Sequence, residues 1–129
     1  MDGLIEKYFS IHGRLVRLPY FARSVWLGII ITLIFVASIP LFSSGSNSLW
    51  WAGLLLVAIS AIVLAAGSIS LVVRRLHDLG MSGYHAIWIL PVLAIPAGVR
   101  ETYLAIPLIA VSLWLIFWPG QKTPNRFGA

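Results

Sequence analysis

The stretch "LVVRRLHDLGMSGYHAIWIL", residues Leu71 to Leu90, closes one apolar run and opens another. Two arginines, a histidine and an aspartate stand at the junction, in a chain where only 10% of residues are charged. If the helix before the junction continues through Leu79, then Arg74, His77 and Asp78 share one face by spacings of three and four. Gly80 is placed to be the first residue past the helix end, in the left-handed conformation. Ser82 is placed to cap a new helix beginning near Gly83. A carboxylate at a helix C-terminus meets the negative end of the dipole, which costs about 0.3 to 1 kcal/mol. Asp78 therefore needs a cation, and Arg74, Arg14 and Arg17 are the candidates.

The flanking runs decide the fold class. The 129 residues are 60% hydrophobic, with a mean hydropathy of +0.95. A soluble domain of this size could not hide so much apolar surface. Four runs lack Asp, Glu, Lys and Arg: 25–42, 49–73, 84–99 and 103–118. A helix needs roughly 20 residues to cross the hydrocarbon core, with a range of about 17 to 25. The first two runs pass. The last two are slightly short and are separated by Arg100 to Thr102, so they form two short spans or a re-entrant hairpin. No run alternates with period two over a barrel-strand length. The expectation is all-α: one membrane domain over 1–129, an integral bundle of four transmembrane helices. Residues 1–24 should be a cytoplasmic segment with an amphipathic surface helix, striped by Leu4, Ile5 and Tyr8, and 119–129 a cytoplasmic tail. The start shows no leader-like pattern.

Charge placement favours four crossings. Eight of the nine Lys and Arg residues then fall on one side, and only Arg100 falls on the other. Lys7, Arg14, Arg17 and Arg23 precede the first run, Arg74 and Arg75 follow the second, and Lys122 and Arg126 follow the fourth. By the positive-inside rule that side is the cytoplasm, so both termini should lie there. Trp26 and Trp118 mark the inner interface, and Trp50 and Trp51 the outer one. On the second run Ala58, Ala61, Ala65 and Ser68 share a face of small residues suited to close helix packing. Pro91 and Pro96 should kink the third.

Two readings of the charged junction stand side by side. In one, "RRLHD" is a charged stop and a structural ion cluster that ties the N-terminal segment to the loop. In the other, Arg14, Arg17, Arg75 and His77 surround an anion, with Arg74 pairing internally to Asp78. The tail "PGQKTPNRFGA" has two readings as well: a frayed terminus, or a docking element with Asn125, Phe127 as anchor and Arg126 as charge.

Three motifs carry a resemblance: "GRLVR", "RRLHDLGMSGY" and "PGQKTPNRFG". In order and spacing they resemble bacterial inner-membrane proteins grouped as domain-of-unknown-function family 805, and the resemblance covers nearly the whole chain. It implies a small multi-span inner-membrane protein with motifs at the cytoplasmic helix ends. By resemblance the marked positions are Gly13, Arg14, Arg17, Arg74, Arg75, His77, Asp78, Gly80, Ser82, Gly83, Asn125, Arg126, Phe127 and Gly128. Leu18-Pro19-Tyr20 departs from the family, which often has a more polar pair before the aromatic.

Function follows from what the spans lack. Ion and proton paths place ionisable groups inside the membrane; these spans carry no Asp, Glu, Lys or Arg, so a transporter or channel role would need an oligomer. An enzyme would have to rely on His77 and Asp78. With no cysteine, and with His12, His77 and Asp78 at no known ligand spacing, no metal or cofactor is expected. The basic face suits anionic membrane lipid, a phosphorylated ligand or a protein partner, with no role for nucleic acid.

Overall fold

The computed structural model describes residue 3 and residues 8–93 and 102–128. These residues form helices joined by turns. Helix α1 is Arg17–Ser43, α2 is Asn47–Asp78, α3 is Ala86–Leu93 behind a 3-10 turn at Gly83–His85, and α4 is Thr102–Phe117. Helices α1 and α2 have 27 and 32 residues and are long and apolar enough to cross a membrane; α3 and α4 are shorter apolar helices. At about 1.5 Å per residue α2 is about 48 Å long, against a hydrocarbon core of about 30 Å. Its surplus turns carry the arginines, His77 and Asp78. The surface helix expected from Leu4, Ile5 and Tyr8 falls mostly outside the described residues, as do Pro96 and the far end of the third run.

Helix α1 starts eight residues ahead of the apolar run. Hydropathy sees only the lipid-compatible part, whereas Pro19 shows the true start. It is the third residue of the helix, where a backbone N–H would have no intrahelical partner anyway. The first helical bond runs from the Tyr20 N–H to the Val16 carbonyl. Residues 44–46 then turn the chain into α2, and α1 packs along it.

The packing face of α2 differs from the expected one. Ala58, Ala61 and Ala65 are exposed and Ser68 is half-buried, while Gly53, Ser60 and Gly67 are buried at a spacing of seven. A Cβ at Gly67 would come within 2.9 Å of the Leu27 side chain, and one at Gly53 within 3.2 Å of Leu41 and Phe42. Glycine wins this face because it brings the two backbones closest, and in lipid that contact is the drive for association. Ser60 and Ser38 turn their hydroxyls to carbonyls of their own helices, at Leu56 and Phe35. They join the interface with their hydroxyls already satisfied.

The buried apolar residues gather toward the charged end of α2. Leu15, Tyr20 and Leu27 meet Leu71, Val72 and Leu76, with Ala86 and Ile89 from α3 and Leu115 from α4. Most of the remaining large apolar side chains, such as Leu33, Ile62, Ile106 and Phe117, face outward. An exterior this apolar suits hydrocarbon rather than water.

Candidate functional site

The end of α2 is built by local rules. Leu79 caps the helix, and Gly80 follows with φ +79°, a conformation glycine adopts freely. The Gly80 N–H donates to the His77 carbonyl (3.1 Å) and the Met81 N–H to the Leu76 carbonyl (2.8 Å). These are the paired bonds of a Schellman motif, and Met81 packs onto the core beside Leu76. Ser82 then accepts the Tyr84 N–H and starts the next turn. Both capping expectations hold.

That reversal turns Asp78 inward, and the carboxylate becomes the centre of a buried node. It is 1% exposed. Oδ1 accepts from Arg14 Nε (3.3 Å) and Nη2 (3.2 Å), and Oδ2 accepts from Arg75 Nη1 at 2.5 Å. Arg75 is itself 0% exposed; its Nε donates to the Leu115 carbonyl (2.7 Å) and its Nη2 to the Trp118 carbonyl. These are carbonyls at the C-terminal end of α4, so a cation there also answers that helix's dipole. Arg14 reaches the other way and donates to the carbonyls of Gln121, Thr123 and Gly128. One carboxylate thus holds two guanidiniums, and those hold five carbonyls between Leu115 and Gly128.

The tail closes over this node. The Gln121 N–H donates to the Asp78 carbonyl (2.8 Å). A Cβ at Gly120 would fall inside the Asp78 carboxylate, so only glycine lets the tail lie this close. Asn125 Nδ2 donates to the His77 carbonyl (3.0 Å) and to Gln121 Oε1 (2.8 Å), while its Oδ1 accepts the Phe127 N–H. Asn125 and Gly128 exchange both backbone bonds across a tight turn. The Phe127 ring stacks on His77, with centroids 4.0 Å apart and planes 6° apart, and Arg126 lies 4.7 Å over the Phe127 ring. His77 Nδ1 lies 3.2 Å from the Gly13 carbonyl. A carbonyl only accepts, so Nδ1 carries the proton. The Leu15 N–H donates to the Arg74 carbonyl, and Ser70 Oγ donates to the Ser10 carbonyl, which fixes the N-terminal segment along α2.

The three motifs are therefore one structure, and a family model tests whether they belong together. The family described as a protein of unknown function (DUF805) matches residues 8–129. The chain belongs to this DUF805 family. The match begins before Gly13 and runs past Asn125, so it spans every part of the node. No curated protein and no solved structure matches the chain.

Most of the expected cluster converges in this family member, with one exchange of roles. Asp78 pairs with Arg14, as anticipated, but its partner within α2 is Arg75 rather than Arg74. Arg75 points between α2 and α4 and is fully used there, so it is no outward-facing anion ligand. Arg74 is half-buried on the flank. Arg17 is exposed at the start of α1 and makes no ion pair among the described residues. His77 sits next to Asp78 in sequence but serves Gly13 and Phe127. Asn125 and Phe127 are docked onto the end of α2, and Arg126 lies exposed over the Phe127 ring. Gly120 and Gln121 escaped sequence reading as site residues; their one signal was membership of the "PGQ" turn.

Proposed function

We propose that the chain is a bacterial inner-membrane protein that crosses four times, keeps both termini in the cytoplasm and works without catalysis. Its closed, basic cytoplasmic end holds anionic headgroups. One observation carries this reading: Asp78 is grasped from both ends of the chain, by Arg14 and by Gln121. Segments that meet the end of α2 share its side of the membrane. If α1 and α2 each cross, residues 79 to 119 begin and end on that side, which a crossing by each of the shorter apolar helices α3 and α4 satisfies. The eight-to-one Lys and Arg split then supports the cytoplasm as that side. A reporter fused at residue 129 tests the topology. A cytoplasmic fluorescent fusion should glow, and an active periplasmic phosphatase at that position would sink the model.

The same geometry argues against chemistry at the His–Asp pair. Both Asp78 oxygens are engaged by guanidiniums, and the His77 ring is stacked and tied to Gly13. Neither is placed to act as a base on the other. Arg17 and Lys122, at the closed end, are exposed. Basic residues near the surface contribute about 1 kcal/mol each toward anionic lipid. Removing both by Arg17→Ala and Lys122→Ala should weaken phosphatidylglycerol binding by about 2 kcal/mol, or about thirtyfold. The measurement is a melting curve in neutral detergent with added phosphatidylglycerol. A ligand at a hundred times its dissociation constant adds about 2.7 kcal/mol, and the double variant should lose the rim's share of that gain. Equal stabilisation of both proteins would reject the basic rim.

A further inference from the structure

A groove of about 590 Å³ runs beside the node, between α2 and the turn into α3. On one wall Ile69, Val73 and His77 stand in a row four residues apart; on the other are Ser82, Tyr84, Ile87 and Leu90. His12 sits at the surface end, from the N-terminal segment. The row from Ile69 to His77 rises about 12 Å along α2. Its polarity changes along that rise. Ile69, Ile87 and Leu90 are apolar, whereas His12, His77 and Ser82 are polar. The apolar run of α2 ends at Val73, so the change coincides with the inner boundary expected for a membrane-crossing α2.

Five details narrow the occupant. Among the described residues no carboxylate lines the groove, and Asp78 is already neutralised by two arginines, so a phosphate meets no repulsion from them. Arg126 lies over the Phe127 ring that stacks on His77, which brings a cation beside the polar end, and the His12 imidazole lines that end. The hydrogen bond to Gly13 puts the proton of His77 on Nδ1, and Nε2 makes no hydrogen bond among the described residues; in the neutral ring it is an acceptor facing Gly83. It fits a ligand with an O–H to donate. The volume lies within the usual range for small-molecule sites, about 300–1,000 Å³, which suffices for a headgroup and the upper part of one chain. A row of about 12 Å offers little more than two turns to a partner helix, less than the three or four turns of an ordinary one.

We propose that this groove is a site for a single anionic phospholipid of the phosphatidylglycerol class. One acyl chain lies along Ile69, Ile87 and Leu90, the phosphate sits beside His12, and a glycerol hydroxyl donates to His77 Nε2. The proposal rests on the membrane placement argued above, but not on the basic rim of Arg17 and Lys122.

The test is native mass spectrometry of the full chain released from micelles carrying phosphatidylglycerol and phosphatidylcholine in equal amounts. Phosphatidylcholine has no hydroxyl or ammonium donor and no net charge. The wild type should retain phosphatidylglycerol at least about tenfold over phosphatidylcholine. The double variant Tyr84→Ala/Ile87→Ala removes two exposed walls without touching the clamp, and should bring the ratio near one. His12→Ala, at an exposed position, should lower it severalfold and is the deciding variant if the double variant does not fold. Arg17→Ala/Lys122→Ala should reduce the further phosphatidylglycerols carried at the rim but leave the ratio unchanged for the last lipid stripped from the protein. Parity in the wild type would overturn the proposal. So would a preference that survives the groove variants, or one lost only in the rim variant, which would leave the basic end standing without the groove. An adduct of peptide mass, lost in the groove variant, would overturn the lipid assignment in favour of a partner segment.

Discussion

Replacing Asp78 by asparagine should destabilise the protein more than any other single change at the node, by about 3–5 kcal/mol. That is the range for breaking a buried ion pair from one side, because a charge is left buried without compensation. Here the effect is doubled in kind. Arg75 has no exposure at all and cannot turn to water, and Arg14 loses the same partner. Asparagine keeps the volume but also presents an amide N–H₂ to a donor. The apparent Tm in mild detergent should fall by about 6–20 °C, at roughly 2–4 °C per kcal/mol. Arg14→Met should cost less, because the carbonyls it leaves at Gln121, Thr123 and Gly128 belong to bonds at the exposed surface. A wild-type melting curve for Asp78→Asn would show that the node contributes nothing to holding the bundle end.

Gly120→Ala should give the second effect, a loss of about 1–3 kcal/mol, as for overpacking a filled interior. The added methyl would occupy the space of the Asp78 carboxylate. Carboxylate and tail cannot both stay, and the two guanidiniums hold the carboxylate. The tail should therefore lift. Amide hydrogen exchange reads this directly: the Gln121 N–H, now bonded to the Asp78 carbonyl, and the Gly128 N–H, bonded to Asn125, should both exchange faster. Gly28→Ala is the control, since nothing lies within 4 Å of a Cβ there and alanine favours the helix. Unchanged exchange at Gln121 in Gly120→Ala would mean that the tail has room the geometry does not provide.

The two predictions divide along a line that also separates what each level of description decides. Signals that act within a few residues were legible in the chain itself. The apolar runs placed the cores of α1 and α2, because lipid selects composition residue by residue. Gly80 and Ser82 announced the stop and restart, because a Schellman turn and an N-cap are made by neighbours in sequence. Asp78 announced its need for a cation, because the dipole of its own helix demands one. Arg14 could be named as one of three candidate cations because the charge asymmetry already put the N-terminal segment and the end of α2 at one face.

What depended on rotation about a helix axis was decided by the tertiary structure. Arg74 and Arg75 are adjacent, yet point about 100° apart, and only the position of α4 and the tail selects Arg75 for burial. The small-residue face of α2 was ambiguous for the same reason. Alanines and glycines both form stripes, and the approach of Leu27 and Leu41 chose Gly53 and Gly67. Gly120 and Gln121 were invisible because their role lies in contact with Asp78, some forty residues away. A sequence records which residues can be close along a helix; which of them meet across helices is fixed by the packing of backbones against each other.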